Sequence, residues 1–166
     1  MSQPAQAKPS GVGEADRGFE VRALGEVAIR CADVAAMLAF YRDVIGLPVL
    51  SGDHRSSIVF LRIGEGYRGH TTVLALFAPD AGRPDIHPQG SAAPATGAGS
   101  SLHHIALSVD YEAQEAAVAW CRAQGLAPKV QEFDWIGWRG VFVTDPEGNT
   151  VELVARDPDW TAPKPA

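Results

Sequence analysis

In the stretch EVAIR, Glu26 to Arg30, apolar and polar positions alternate with the two-residue period of a half-buried strand. The next segment changes period. Val34, Met37, Leu38, Tyr41, Val44 and Ile45 recur at spacings of three and four, which predicts a helix with Asp33 as its N-cap and Gly46 as its stop. Strand-like text then returns in PVLSGD, SSIVFLRI and TTVLALFA. The same order recurs from His103: HHIALSVD alternates, Asp110 precedes a helix carrying Ala113, Ala117, Trp120 and Cys121 on one side, and Gly125 ends it. APKVQEF, WRGVFVT and TVELVAR follow, the last two joined by DPEGN, whose Pro and Gly suit a tight hairpin. The chain therefore predicts two β-α-β-β-β modules, residues 22–78 and 102–156, in an α+β fold. Residues 79–101 are rich in Pro, Gly, Ala and Ser without periodicity and read as a linker. Residues 1–19 and 161–166 read as tails around one domain spanning 20–160.

Composition narrows the function classes. An apolar fraction of 46% and a charged fraction of 20% over 166 residues are those of one globular domain, with no apolar run long enough to span a bilayer. The first residues lack the apolar centre of a secretory signal, so the cytoplasm is the expected compartment and no membrane partner is expected. A net charge of −6 with scattered basic residues argues against nucleic acid as a partner. Cys31 and Cys121 lie far apart in apolar segments and predict buried thiols rather than a disulfide or a metal knuckle. GEGYRG, Gly64 to Gly69, matches a dinucleotide fingerprint in letters only, because a strand follows where a helix is required.

The paired modules, with EVAIR leading to FYRDVIGL, then HIALSVD and DPEGNTVEL, resemble the vicinal oxygen chelate superfamily. That superfamily includes glyoxalase I, extradiol dioxygenases, methylmalonyl-CoA epimerase and the fosfomycin and bleomycin resistance proteins. The resemblance runs from about Arg22 to Arg156, the linker excepted. It implies a half-open barrel built from the two modules around one metal ion and one substrate. In the glyoxalase-like branch four positions supply ligands; in the extradiol branch two His and one Glu do so, at positions matching Glu26, His104 and Glu152.

Strand parity within the repeat bears on the same residues. Aligning the opening strands pairs Glu26 with His104 and places Glu26, Ala28 and Arg30, like His104, Ala106 and Ser108, on the face away from the helix. His103, on the other parity, is expected to point away as a neighbour or packing residue. Aligning the closing strands pairs Ala75 with Glu152. A carboxylate in an apolar strand is costly to bury unless paired or bound to a cation, which makes Glu152 a metal-ligand candidate beside His104. Glu26 is either the third ligand or a general base. Two carboxylates and an imidazole suit a divalent ion such as Mn, Fe, Ni, Zn or Mg, and Ala75 leaves room for water or substrate. Parity turns His70 away from the cavity unless a bulge intervenes, leaving it as an additional candidate only. Trp135, Trp138 and Arg139 could form an aromatic substrate wall with an anion clamp, and Arg30 could meet an anionic substrate. His54 and His87 read as loop residues.

Two function classes follow. One is a metal-dependent enzyme on a small oxygen-rich substrate, a glyoxalase-like lyase or isomerase or an extradiol-type dioxygenase. The alternative is a non-catalytic protein of the bleomycin-resistance type that binds or sequesters a small molecule. A homodimer is the expected assembly, with the modules pairing within a chain or across the dimer.

Overall fold

The computed structural model describes residues 19–82, 95 and 97–162. Expectations for residues 1–18, for most of the linker including His87, and for 163–166 lie outside the described residues. The two modules form two four-stranded mixed sheets. The first has the order β1-β4-β3-β2, with β1 Glu26–Arg30, β2 Val49–Ser51, β3 Ile58–Glu65 and β4 Thr71–Phe77. The second has the order β5-β8-β7-β6, with β5 Ile105–Ser108, β6 Lys129–Phe133, β7 Trp138–Thr144 and β8 Thr150–Arg156. In each, the opening strand runs parallel to the closing one and the rest is antiparallel. The sheets do not close on one another, which is consistent with the half-open arrangement the family resemblance implied.

The internal repeat is reproduced in the register. Ala75 lies between Ala28 and Phe60 in the first sheet, and Glu152 lies between Ala106 and Phe142 in the second. Glu26 and His104 each stand two residues before Ala28 and Ala106, but Glu26 lies within β1 whereas His104 lies one residue ahead of β5.

Both helices keep their predicted places; the first also keeps its predicted face, with Phe40 added, whereas the second turns a partly different face inward. Asp33 caps the first, α1 Val34–Ala39, its Oδ1 accepting from the Ala36 N–H at 2.9 Å. The chain then widens into a π turn over Phe40–Val44, where the Ile45 N–H donates to the Phe40 carbonyl at 3.0 Å. In that turn adjacent Phe40 and Tyr41 are both buried, and Val44 and Ile45 pack against the core while partly exposed. Gly46 and Gly125 end the two helical segments with positive φ, as expected. The second helix, α2 Gln114–Ala123, buries Gln114, Val118 and Cys121, while Trp120 of the predicted stripe is exposed. Gln114 takes a core position because backbone carbonyls satisfy its amide: Nε2 donates to Arg139 O at 2.7 Å and Leu153 O at 3.0 Å.

One apolar cluster joins the modules. Met37, Leu38 and Tyr41 meet the inward residues of the first sheet, Val59, Leu61, Leu74 and Leu76, and the cluster continues through Ile105, Leu107, Val141, Val143, Val151 and Leu153 of the second. Three polar contacts cross the same boundary. The Tyr41 hydroxyl donates to Asp145 Oδ2 at 2.9 Å, the Trp120 indole N–H to Val44 O at 2.8 Å, and the Asp33 N–H to Glu147 Oε1 at 2.6 Å. Asp145 also accepts from the Glu147 and Asn149 N–H groups, so the DPEGN hairpin is rigid where it meets Tyr41. Cys31 and Cys121 are free and buried, as predicted. No helix among the described residues is long and apolar enough to cross a membrane. Tyr41→Phe should lower unfolding free energy by about 1–3 kcal/mol, the cost of leaving a buried carboxylate short of a donor; urea titration at neutral pH measures it.

Candidate functional site

Strand parity sorts the second module. Ile105 and Leu107 are buried against the core, and Ala106 and Ser108 lie on the opposite, open face with His104 ahead of them. On β8 the open-face residues are Glu152, Val154 and Arg156; on β7 they are Trp138, Gly140 and Phe142. His104 and Glu152 come together there, Nε2 and Oε2 3.2 Å apart, with the imidazole side chain 35% exposed and the carboxylate side chain 7% exposed.

The surroundings explain how the carboxylate fits. Glu152 pairs across the sheet with Phe142, and a Cβ on Gly140 would collide with Glu152 Oε1 and the Phe142 ring. Gly140 therefore supplies the space in which the carboxylate lies. Phe142 also packs edge-on to His104, ring centroids 6.4 Å apart. Burial pushes the Glu152 carboxyl up from its usual range, and the neighbouring imidazole draws it partly back. A shielded carboxylate whose partner is one imidazole is short of positive charge. A His nitrogen and a carboxylate oxygen converging on one point are also a suitable pair of donors for a divalent ion.

His103 departs from the expectation that it points away. β5 begins only at Ile105, so the two histidines precede the alternating backbone and their rings meet, Nδ1 to Nδ1 at 2.7 Å. One Nδ1 carries the hydrogen and the other accepts. His103 thus holds the ring of His104 through that contact.

The other sequence candidates are dispersed. Glu26 sits on the equivalent face of the first sheet, exposed and without an ion pair among the described residues. No set of three His, Cys, Asp or Glu side chains suited to a metal gathers among the described residues, so a single chain does not bring Glu26 to His104 and Glu152. Ala75 is buried at the place equivalent to Glu152. Arg30 donates to the carbonyls of Pro79 and Ala81 at 2.6 and 3.1 Å and so fastens the chain after β4. His70 lies beside Gly25, with Glu20 to Leu24 and Tyr67, away from the His104 site. His54 is exposed.

The predicted aromatic wall splits in two. Trp138 is on the open face, and Trp135 is 74% exposed in the turn before β7. Arg139, one residue on, points to the helix side, where it pairs with Glu115 and donates Nη1 to Gln114 Oε1 at 3.2 Å. The alternation of β7 already separates Trp138 from Arg139, and the same parity would have selected Gly140, Phe142 and Arg156.

Comparison with known proteins agrees with the fold. Residues 23–153 match the family described as the glyoxalase/bleomycin resistance protein/dioxygenase superfamily. The structure is similar to a lactoylglutathione lyase from Agrobacterium tumefaciens, with 25% identity, TM-score 0.62, and coverage of 82% of this chain and 95% of that one. It is similar in fold to a glyoxalase/dioxygenase from Nostoc punctiforme, with 21% identity, TM-score 0.59, and coverage of 88% and 99%. It is likewise similar in fold to the fosfomycin resistance protein FosX from Listeria monocytogenes, with 15% identity, TM-score 0.59, and coverage of 83% and 94%. No curated protein sequence matches the chain.

The raised Glu152 carboxyl has a consequence for stability. The folded state holds this proton more tightly than the unfolded chain, so its contribution is fully present below the ordinary carboxylate range and is lost as pH rises through the raised value. Glu152→Gln, checked by denaturation at pH steps across that window, should remove this downward slope and be least disadvantaged, relative to the parent, at neutral pH.

Proposed function

The chain belongs to the glyoxalase/bleomycin resistance protein/dioxygenase superfamily, and from that premise we propose that it is a metal-dependent enzyme acting on a small oxygen-rich substrate. The observation that carries the reading is the convergence of His104 Nε2 and the shielded Glu152 carboxylate at 3.2 Å on an open sheet face. A divalent ion, Mn, Fe, Ni, Zn or Mg, suits this mixed nitrogen and oxygen pair. Such an ion, when bound, polarises two neighbouring substrate oxygens, the chemistry shared by lyase, isomerase and extradiol-type dioxygenase reactions.

Glu26 completes the donor set from a second copy of the chain. Two features support this: Glu26 occupies the place related to His104 by the internal repeat, and it is exposed rather than engaged within its own chain. In a two-fold symmetric homodimer the first module of each copy would face the second module of the other, so each site would draw on both. Glu26 would then serve as third ligand or as the base that accepts a proton from a substrate carbon. His103 holds the His104 ring, and Phe142 keeps water from the Glu152 side.

A second reading, a small-molecule binding protein of the bleomycin-resistance type, is favoured by one observation. Trp138 is 47% exposed on the open face, where it could stack on a ligand without chemistry.

Elemental analysis of unchelated protein separates the two. The enzyme reading expects near-stoichiometric metal in the parent and its loss in both His104→Ala and Glu152→Gln; absence of metal even after reconstitution removes the enzyme reading and leaves the binder. Mixing folded Glu26→Ala and His104→Ala chains tests the shared site. Mixed dimers should regain one intact site each, recovering metal that neither variant holds alone if Glu26 is a ligand, or turnover if it is the base. Failure to recover either shows that the site is not shared between copies.

A further inference from the structure

Beyond Glu152, the open face of the second sheet carries a hollow of about 300 Å³ lined by Ser108, Val109, Trp138, Val154, Ala155 and Arg156. Its position is set by register. Trp138 pairs with Arg156 across β7 and β8, and Ser108 pairs with Val154 across β5 and β8. The hollow is therefore an aromatic face, an aliphatic floor and a hydroxyl, with a guanidinium at its end.

The guanidinium is held in place but not neutralised. It stacks over the Trp160 ring at 5.7 Å and donates Nη2 to Trp160 O at 3.4 Å. Trp160 is itself anchored: its indole N–H donates to Asp134 O at 2.7 Å, and its ring lies so close to Gly137 that no side chain fits there. Arg156 has no ion pair among the described residues, a state it shares with Arg30, Arg55, Arg68 and Arg122, but of these five it alone lines this hollow. The neighbouring Asp157 uses Oδ1 on the Asp159 N–H at 2.8 Å. Most of the five N–H donors of Arg156 thus remain available for an oxyanion, in the planar fork that suits a carboxylate.

We infer that this hollow is an anion subsite and that the ligand is an organic carboxylate with an apolar body. The carboxylate meets Arg156 and the Ser108 hydroxyl, and the body lies on Trp138 and Val154. Glu152 and Arg156 share one face of β8 four residues apart, so the anionic group sits on the order of 13 Å along the strand from the Glu152 end. The substrate class follows from the function proposed above, on which this part rests: an elongated acid whose other end carries the paired oxygens. Binding of the acid at Arg156 does not itself need the ion, which keeps the two ideas separable. The predicted anion clamp at Arg139 is thereby replaced by Arg156, on the face where Trp138 is found.

Isothermal titration of chelator-treated protein with 3-phenylpropionate, and with 3-phenylpropionamide as the uncharged match, tests the subsite. The parent should prefer the acid by about tenfold or more, Arg156→Gln should lose that preference, and Arg156→Lys should retain part of it. Trp138→Leu should weaken acid and amide alike. Equal binding of acid and amide by the parent, no binding of either, or unchanged acid binding by a folded Arg156→Gln would each overturn the inference. In the last case a lowered unfolding midpoint would identify Arg156 as a staple for the Trp160 segment. Metal content, measured on the same preparations before chelation, reports separately: acid preference without metal would sink the metalloenzyme reading and leave the subsite standing.

Discussion

A four-stranded sheet has two faces, and a chain of this size builds one apolar core. Both sheets turn the same kind of face to it: Val59, Leu61, Leu74 and Leu76 from the first, Val141, Val143, Val151 and Leu153 from the second. The two helices and the Tyr41–Asp145 hydrogen bond close that core from both sides of the module boundary. Everything chemical is displaced to the opposite faces as a result. There the strand period places Glu26 and Ala28 on one sheet and Ala106 and Ser108 on the other, with His104 just ahead of β5, and among the described strands none of one sheet pairs with one of the other.

Glu152 is the point at which that division is under tension. It stands on the open face yet is nearly as shielded as the core, because Phe142 and His104 flank it and Gly140 lets it lie flat. A carboxyl so placed holds its proton more tightly than a solvated one, and positive charge nearby opposes that. His104 supplies part of this, and a divalent ion or a protonated imidazole would supply the rest. The same shielding that raises the carboxyl also strengthens any charge interaction made there, since little water screens it. Intolerance of an unpaired negative charge and strong response to a nearby positive one are two aspects of one environment.

The Arg139 and Arg156 pair shows how finely side-chain direction decides role. Arg139 follows Trp138 in sequence and looks like its companion, but consecutive strand residues point to opposite faces. Arg139 consequently anchors α2 through Gln114 and Glu115. Arg156 is distant in sequence from Trp138 and adjacent to it in the sheet. Proximity along the chain was the wrong measure for a β protein, and cross-strand register the right one.

Much of the architecture was legible from periodicity and punctuation. The eight strand positions, the Asp33 cap, the Gly46 and Gly125 stops and the equivalence of Ala75 with Glu152 all follow from local pattern and repetition, which need no knowledge of distant contacts. Three things did not. The π turn that buries both Phe40 and Tyr41 depends on what Tyr41 finds across the module boundary, and Gln114 enters the core only because two carbonyls from β7 and β8 meet it there. The meeting of His103 with His104 depends on where β5 starts to pair with β8. Local sequence dictates the period of each element and hence which residues share a face; the tertiary structure alone decides what that face meets, because partners far apart in the chain are brought together only by packing.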